Sequence, residues 1–165
     1  MRMNLIQPFI GSLDAVLAEM IQSPAKIADL SMQEQPYTQQ GVAAMVQFKG
    51  QIEGRIILDM EPKAAARVAS LLNNGEADST EPLIAETVCE LANMVIGNAV
   101  TQLNDRGFHF KVFPPAVFTK EDALPLGADG EATIMRFETE AGDVYLNILM
   151  QYHARRARET EPALS

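Results

Sequence analysis

Between Pro82 and the Arg106-Gly107 pair the chain carries an uninterrupted helical pattern, longer than any other in the sequence, and the rest of the fold has to accommodate it. At roughly 100° per residue, Ile84, Val88, Leu91, Ala92, Val95, Ile96, Ala99 and Leu103 fall on one broad face. A stripe that wide must be covered by a second layer. The segments that can supply it are strand-like. Val42–Phe48 and Ile52–Met60 are rich in β-branched and apolar residues around a Lys49-Gly50-Gln51 turn, and Thr133–Thr139 and Val144–Tyr152 flank Glu140-Ala141-Gly142-Asp143 in the same way. Each pair reads as a hairpin.

A first helix is expected from Pro8 to Ile21, where Phe9, Ile10, Leu13, Val16, Leu17, Met20 and Ile21 recur at three- and four-residue spacing. Ser23–Gln40, with Pro24 and Pro36 among many Gln and Ser, reads as an irregular or weakly extended connector. Pro62 to Leu72 reads as a short second helix with Asn73-Asn74-Gly75 as its C-cap. After the long helix, a strand around Phe108, Phe110 and Val112 is broken by Pro114-Pro115 and resumes at Ala116–Thr119, and Glu121–Glu131 is a loop. The order predicts an α+β fold, an antiparallel-rich sheet covered by helices, in which a helix-hairpin unit occurs twice without sequence identity between the halves. A single domain over residues 1–153 with a charged, fraying tail at 154–165 fits the length of 165 residues.

Opposite the apolar stripe of the long helix, Glu86, Glu90, Asn93, Gly97 and Asn104 share an arc of roughly 60°. Side chains three and four apart are neighbours, about 5 to 6 Å between Cβ atoms, so these groups can meet one partner surface. An outer helix always has a polar face, and acidic residues suit the positive end of its dipole. Two features go beyond that. No Lys or Arg lies between Leu83 and Gln102 to pair with either glutamate, and Asn93 and Gly97 are poor helix formers in mid-helix. Gly97 costs roughly 1 kcal/mol relative to alanine, which suggests close approach of another group.

Thirteen basic against 22 acidic residues leave a net charge of −9, which argues against nucleic acid as a partner. Cys89 is the only cysteine and the histidines are His109 and His153, too few for a disulfide framework or a four-ligand zinc site. The start of the chain has no signal-peptide pattern, and Glu86, Glu90, Asn93 and Asn98 interrupt the most apolar window. A soluble, cytoplasmic protein without membrane contact is expected. Cys89 reads as a buried, inert thiol and His109 as a solvent-facing strand residue; Arg155, Arg156 and Arg158 read as part of a solvated tail.

The string Glu86-Thr87-Val88-Cys89-Glu90-Leu91-Ala92-Asn93-Met94-Val95-Ile96-Gly97-Asn98-Ala99 resembles the signature helix of the CheC/CheX/FliY family of chemotaxis phosphatases, in its CheX-type branch. There, an acidic residue or serine precedes a glutamate by four positions, asparagine follows by three, and a proline lies a little over twenty residues on. Pro115-Ala116-Val117 resembles the family's Pro-Thr-Val stretch, one residue nearer than usual, and Asn4-Leu5-Ile6-Gln7-Pro8-Phe9-Ile10 is similar to the opening of CheX-type chains. The matching order of elements covers most of residues 3 to 152.

The resemblance implies hydrolysis of the phospho-aspartate on a CheY-type response-regulator receiver domain. Such a mixed anhydride has a good leaving group, and the regulator supplies its own Mg²⁺ and lysine, so the phosphatase needs no cofactor or metal of its own. By resemblance, Asn93 orients the attacking water and Glu90 approaches the partner's lysine; Glu86, Gly97 and Pro115 rank behind them as partner-facing positions. Glu86 stands where the family has aspartate or serine. CheC-type members repeat the motif on the first helix, but Asp14-Ala15-Val16-Leu17 lacks the asparagine, so one site per chain is expected, and a homodimer assembled through the sheet. The competing reading is a catalytically idle receiver-binding adaptor or flagellar-switch-like interaction module on the same fold.

Overall fold

The computed structural model describes residues 3–21, 26–33, 38–72, 81–118 and 132–152. In chain order these form α1 (Met3–Ile21), β1 (Lys26–Gln33), β2 (Val42–Gly50), β3 (Ile52–Met60), α2 (Pro62–Leu72), α3 (Glu81–Asp105), β4 (Phe110–Val112), β5 (Ala116–Phe118), β6 (Ala132–Thr139) and β7 (Gly142–Tyr152). The expected C-cap at Asn73-Asn74-Gly75, the loop at 121–131 and the tail from 154, His153 included, lie outside the described residues.

All seven strands belong to one antiparallel sheet, ordered β1-β6-β7-β3-β2-β4, with β5 also paired to β2. The expected duplication is visible in this order. Hairpins β2–β3 and β6–β7 meet at the centre, where Ile56 stands opposite Ile148. β1, from the first half, lies against β6 of the second; β4 and β5, from the second half, lie against β2 of the first. Each half therefore receives its outer strand from the other.

One sheet face carries the helices. Ala44, Val46 and Phe48 of β2, Ile56, Leu58 and Met60 of β3, and Leu146, Ile148 and Met150 of β7 are buried in the same cluster as Phe9, Leu13 and Leu17 of α1 and Leu91, Val95 and Leu103 of α3. Burying a Val, Leu, Ile or Phe side chain contributes about 1.5–3 kcal/mol, so this layer dominates the stability of the fold. By length and composition the Pro82–Asp105 stretch would suffice to cross a membrane, at a mean hydropathy of 1.3, yet its apolar stripe is the part seated on the sheet.

Two expectations are corrected. The segment read as a connector contains β1, an edge strand of eight residues bounded in sequence by Pro24 and Pro36. Its register shifts between Ile27 and Asp29, which breaks the two-residue alternation by which a strand is recognised. The first helix also begins at Met3, with Pro8 inside it. Proline has no N–H, so the carbonyl four residues earlier, that of Asn4, loses its helical donor. The guanidinium of Arg106, just beyond α3, donates to that oxygen at 3.1 Å. Replacing Arg106 by alanine is expected to cost about 1 kcal/mol, lowering the unfolding midpoint by ~2–4 °C in calorimetry. An unchanged midpoint would mean that water serves the carbonyl equally well.

Where α3 ends, the sequence signal holds. Phe108 N–H donates to Leu103 O at 3.1 Å and Gly107 N–H to Asn104 O at 2.9 Å, with Gly107 at φ +93°, the paired bonds of a Schellman cap.

Candidate functional site

Glu86, Glu90, Asn93, Gly97 and Asn104 are all exposed, along the side of α3 opposite its buried Val88, Leu91, Ala92, Val95 and Ile96. The helix that carries them is fixed along its length. Its stripe is embedded in the core, and the buried Ser12 hydroxyl of α1 donates to Val95 O at 2.8 Å, joining the two helices. A ridge mounted this way keeps its spacing when a partner docks.

Two depressions of about 440 Å³ each lie along the ridge. One is lined by Ala85, Glu86, Cys89, Glu90, Asn93 and Val117 of β5. The other is lined by Leu72 of α2 with Leu83, Glu86, Thr87, Glu90 and Met94. Glu86 and Glu90 border both; Asn93 borders only the first. Among the described residues, Arg136 pairs with Glu138 at 3.0 Å and with Asp143 at 3.2 Å, whereas neither ridge glutamate takes part in an ion pair. Their carboxylates point outward without a counter-charge from the described chain. Among the described residues no group of three His, Cys, Asp or Glu side chains stands close enough to hold a metal ion.

Gly97 differs from its sequence expectation. A Cβ built there would meet nothing within 4 Å, so no group among the described residues approaches it. The open space above it is available to a partner. Pro115 is half-buried between β4 and β5 and does not line either depression; Val117 does.

The proline pair explains how Val117 gets there. Phe113 N–H bonds Gln47 O at 3.0 Å, and Ala116 is next to pair, with Met45, so Pro114 and Pro115 together oppose the single residue Val46. A one-residue bulge turns the following side chains to the other sheet face. Val117 thereby pairs with Ala44, on the helix side of the sheet, where it packs against the core and α3.

Cys89, expected to be buried, is half-buried in the wall beside Asn93. His109 is exposed, immediately before β4, and its backbone N–H and C=O bond to Gln51 in the β2–β3 turn.

The family model for the chemotaxis phosphatase CheX matches residues 42–137, more than half of the chain. A curated relative, the CheY-P phosphatase CheX of Thermotoga maritima, is 23% identical over 148 residues, covering 88% of this chain and 96% of the relative. Among solved structures, a CheC-like superfamily protein from Shewanella sp. PV-4 superimposes with a TM-score of 0.81 at 25% identity, over 92% of this chain and 99% of that one. The CheX–CheY–BeF3–Mg²⁺ complex from Borrelia burgdorferi contains a chain matching at a TM-score of 0.65 and 28% identity, over 91% of this chain and 99% of that one. Fold, element order and family model agree, and the chain belongs to the CheX family of chemotaxis phosphatases.

Proposed function

We propose that this protein hydrolyses the phospho-aspartate of a CheY-type receiver domain, with Asn93 orienting the attacking water and Glu90 docking on the receiver's active-site lysine. The observation that carries the reading is the pairing of an exposed Glu90 with an exposed Asn93 on a core-anchored helix in a chain of this family. The Borrelia burgdorferi relative is described in complex with CheY, beryllofluoride and Mg²⁺, a combination in which beryllofluoride stands in for the phosphoryl group. Mg²⁺ belongs to the receiver in this reading, and the phosphatase brings no cofactor.

A carboxamide both donates and accepts hydrogen bonds, so Asn93 can hold a water by two contacts and fix its direction of attack. The reaction already has its metal and its leaving group, and the contribution required is position. Glu90, one turn earlier, supplies a charge-assisted contact whose strength rises as the interface closes to water. Gly97 leaves the space for the receiver to lie close to the helix. Pro115 acts indirectly, through the bulge that turns Val117 inward. We also assign the protein to the cytoplasm, as a homodimer joined through the sheet. Sedimentation at micromolar concentration is expected to give twice the 18.1 kDa chain mass. A concentration-independent monomer would remove the dimer.

Glu90→Gln tests the docking role. Size and hydrogen-bonding capacity are kept while the charge is lost, so affinity for a Mg²⁺-loaded, beryllofluoride-activated receiver should fall by ~2 to 5 kcal/mol if the contact is closed to water. Calorimetry reads the difference directly. Unchanged affinity and turnover would place Glu90 on an ordinary solvated face, and receiver binding without turnover by the wild type would assign the chain to the idle-adaptor class.

A further inference from the structure

The depression on the α2 side of the ridge has a composition that the water-positioning chemistry does not use. Its walls are Leu72, Leu83 and Met94, all half-buried, its floor includes the buried Thr87, and its rim is formed by the exposed carboxylates of Glu86 and Glu90. Asn93 is absent from its lining. The Thr87 hydroxyl already donates to Leu83 O at 2.8 Å, so it offers an incoming group only acceptor capacity. Apolar walls beneath two carboxylates that lack a counter-charge among the described residues match one kind of side chain: a long aliphatic stem ending in a cation.

We infer that this depression is a specificity pocket that receives a lysine or arginine side chain of the receiver domain, distinct from the receiver's active-site lysine, with Glu86 as its carboxylate partner and Leu72, Leu83 and Met94 against its stem. The inference rests on the proposed receiver phosphatase reading and extends it to partner choice. It gives Glu86 a docking role separate from the chemistry at Asn93. It also gives the net charge of −9 a local use, as a cation acceptor on the docking face. A receiver with a neutral or acidic residue at the matching position leaves the Glu86 carboxylate facing an apolar or negative surface, and is rejected.

The test uses single-turnover decay of a CheY-type receiver phosphorylated with acetyl phosphate, across a range of phosphatase concentrations and at two salt concentrations. Glu86→Gln should raise the half-saturating concentration about tenfold and flatten its salt dependence, while the rate at saturation stays within about twofold. Leu72→Ala, on a different helix, should raise the same concentration about threefold, through lost contact with the stem. Glu86→Lys should bind still more weakly, and changing one basic surface residue of the receiver to glutamate should restore it. An unchanged half-saturating concentration for Glu86→Gln, with wild-type activity present, overturns the pocket and leaves the phosphatase reading standing. A fall in the saturating rate at constant half-saturation also overturns it, by moving Glu86 into the chemistry. A wild-type protein that neither binds nor accelerates decay overturns both.

Discussion

Asn93→Ala is expected to remove nearly all acceleration of receiver dephosphorylation while leaving receiver affinity within about twofold of wild type, because a group that orients water contributes to the reaction barrier and little to ground-state binding. The site is suited to such a clean separation. Asn93 is exposed, lies outside the hydrophobic core and has no side-chain hydrogen bond among the described residues, so its truncation removes no core packing. Alanine is also the better helix former. Loss of a well-placed polar group commonly costs a factor of ~10² to 10³ in rate. Parallel loss of binding and rate would instead make Asn93 a docking residue, and an unchanged rate would remove it from the mechanism.

Gly54→Ala should be the most damaging single substitution in the sheet. Gly54 lies in β3 between Phe48 of β2 and Met150 of β7, at φ +148°, a conformation that residues with a Cβ rarely adopt. A Cβ there would sit 1.9 Å from Leu149 O and 2.9 Å from the Cα of Met150, both backbone atoms of the central strand pair. No side-chain rotation relieves such a clash, so the two hairpins must move apart where the halves of the molecule join. A loss of ~3 kcal/mol or more is expected, against a total stability of about 5–15 kcal/mol for a domain of this kind. Urea unfolding followed by circular dichroism checks it, and a midpoint equal to wild type would show that the β3–β7 pairing is looser than described.

The parts of the fold legible in the sequence are those whose signal is local. α3 announces itself by its period, its opening proline and the Gly107 cap, and the turn at Gly50 by the positive φ that glycine supplies. The parts misread depend on distant partners. Pro8 looks like a first-turn proline until Arg106 supplies the bond that Asn4 O lacks, and no neighbouring residue signals that. β1 is hidden by a register shift that only its pairing with β6 reveals.

The site divides in the same way. The outward direction of Glu86, Glu90 and Asn93 follows from helical spacing alone. The walls beside them do not. Val117 reaches the ridge because two prolines take one extra position in the strand, and Leu72 arrives on a separate helix. The Pro115-Ala116-Val117 segment was identifiable, but only the bulge shows that valine, and not proline, lines the surface. Gly97, expected to lie against a close neighbour, instead faces open space among the described residues.

The central claim, that the α3 ridge turns this fold into a receiver phosphatase, is tested most directly by mixing the wild-type protein in stoichiometric excess with a purified phosphorylated CheY-type receiver and following loss of the phosphoryl group with Mg²⁺ present. Decay should become many times faster than the receiver's own, with inorganic phosphate released and no phosphorylated phosphatase formed. Decay at the receiver's intrinsic rate, across the receivers that bind, would contradict the account.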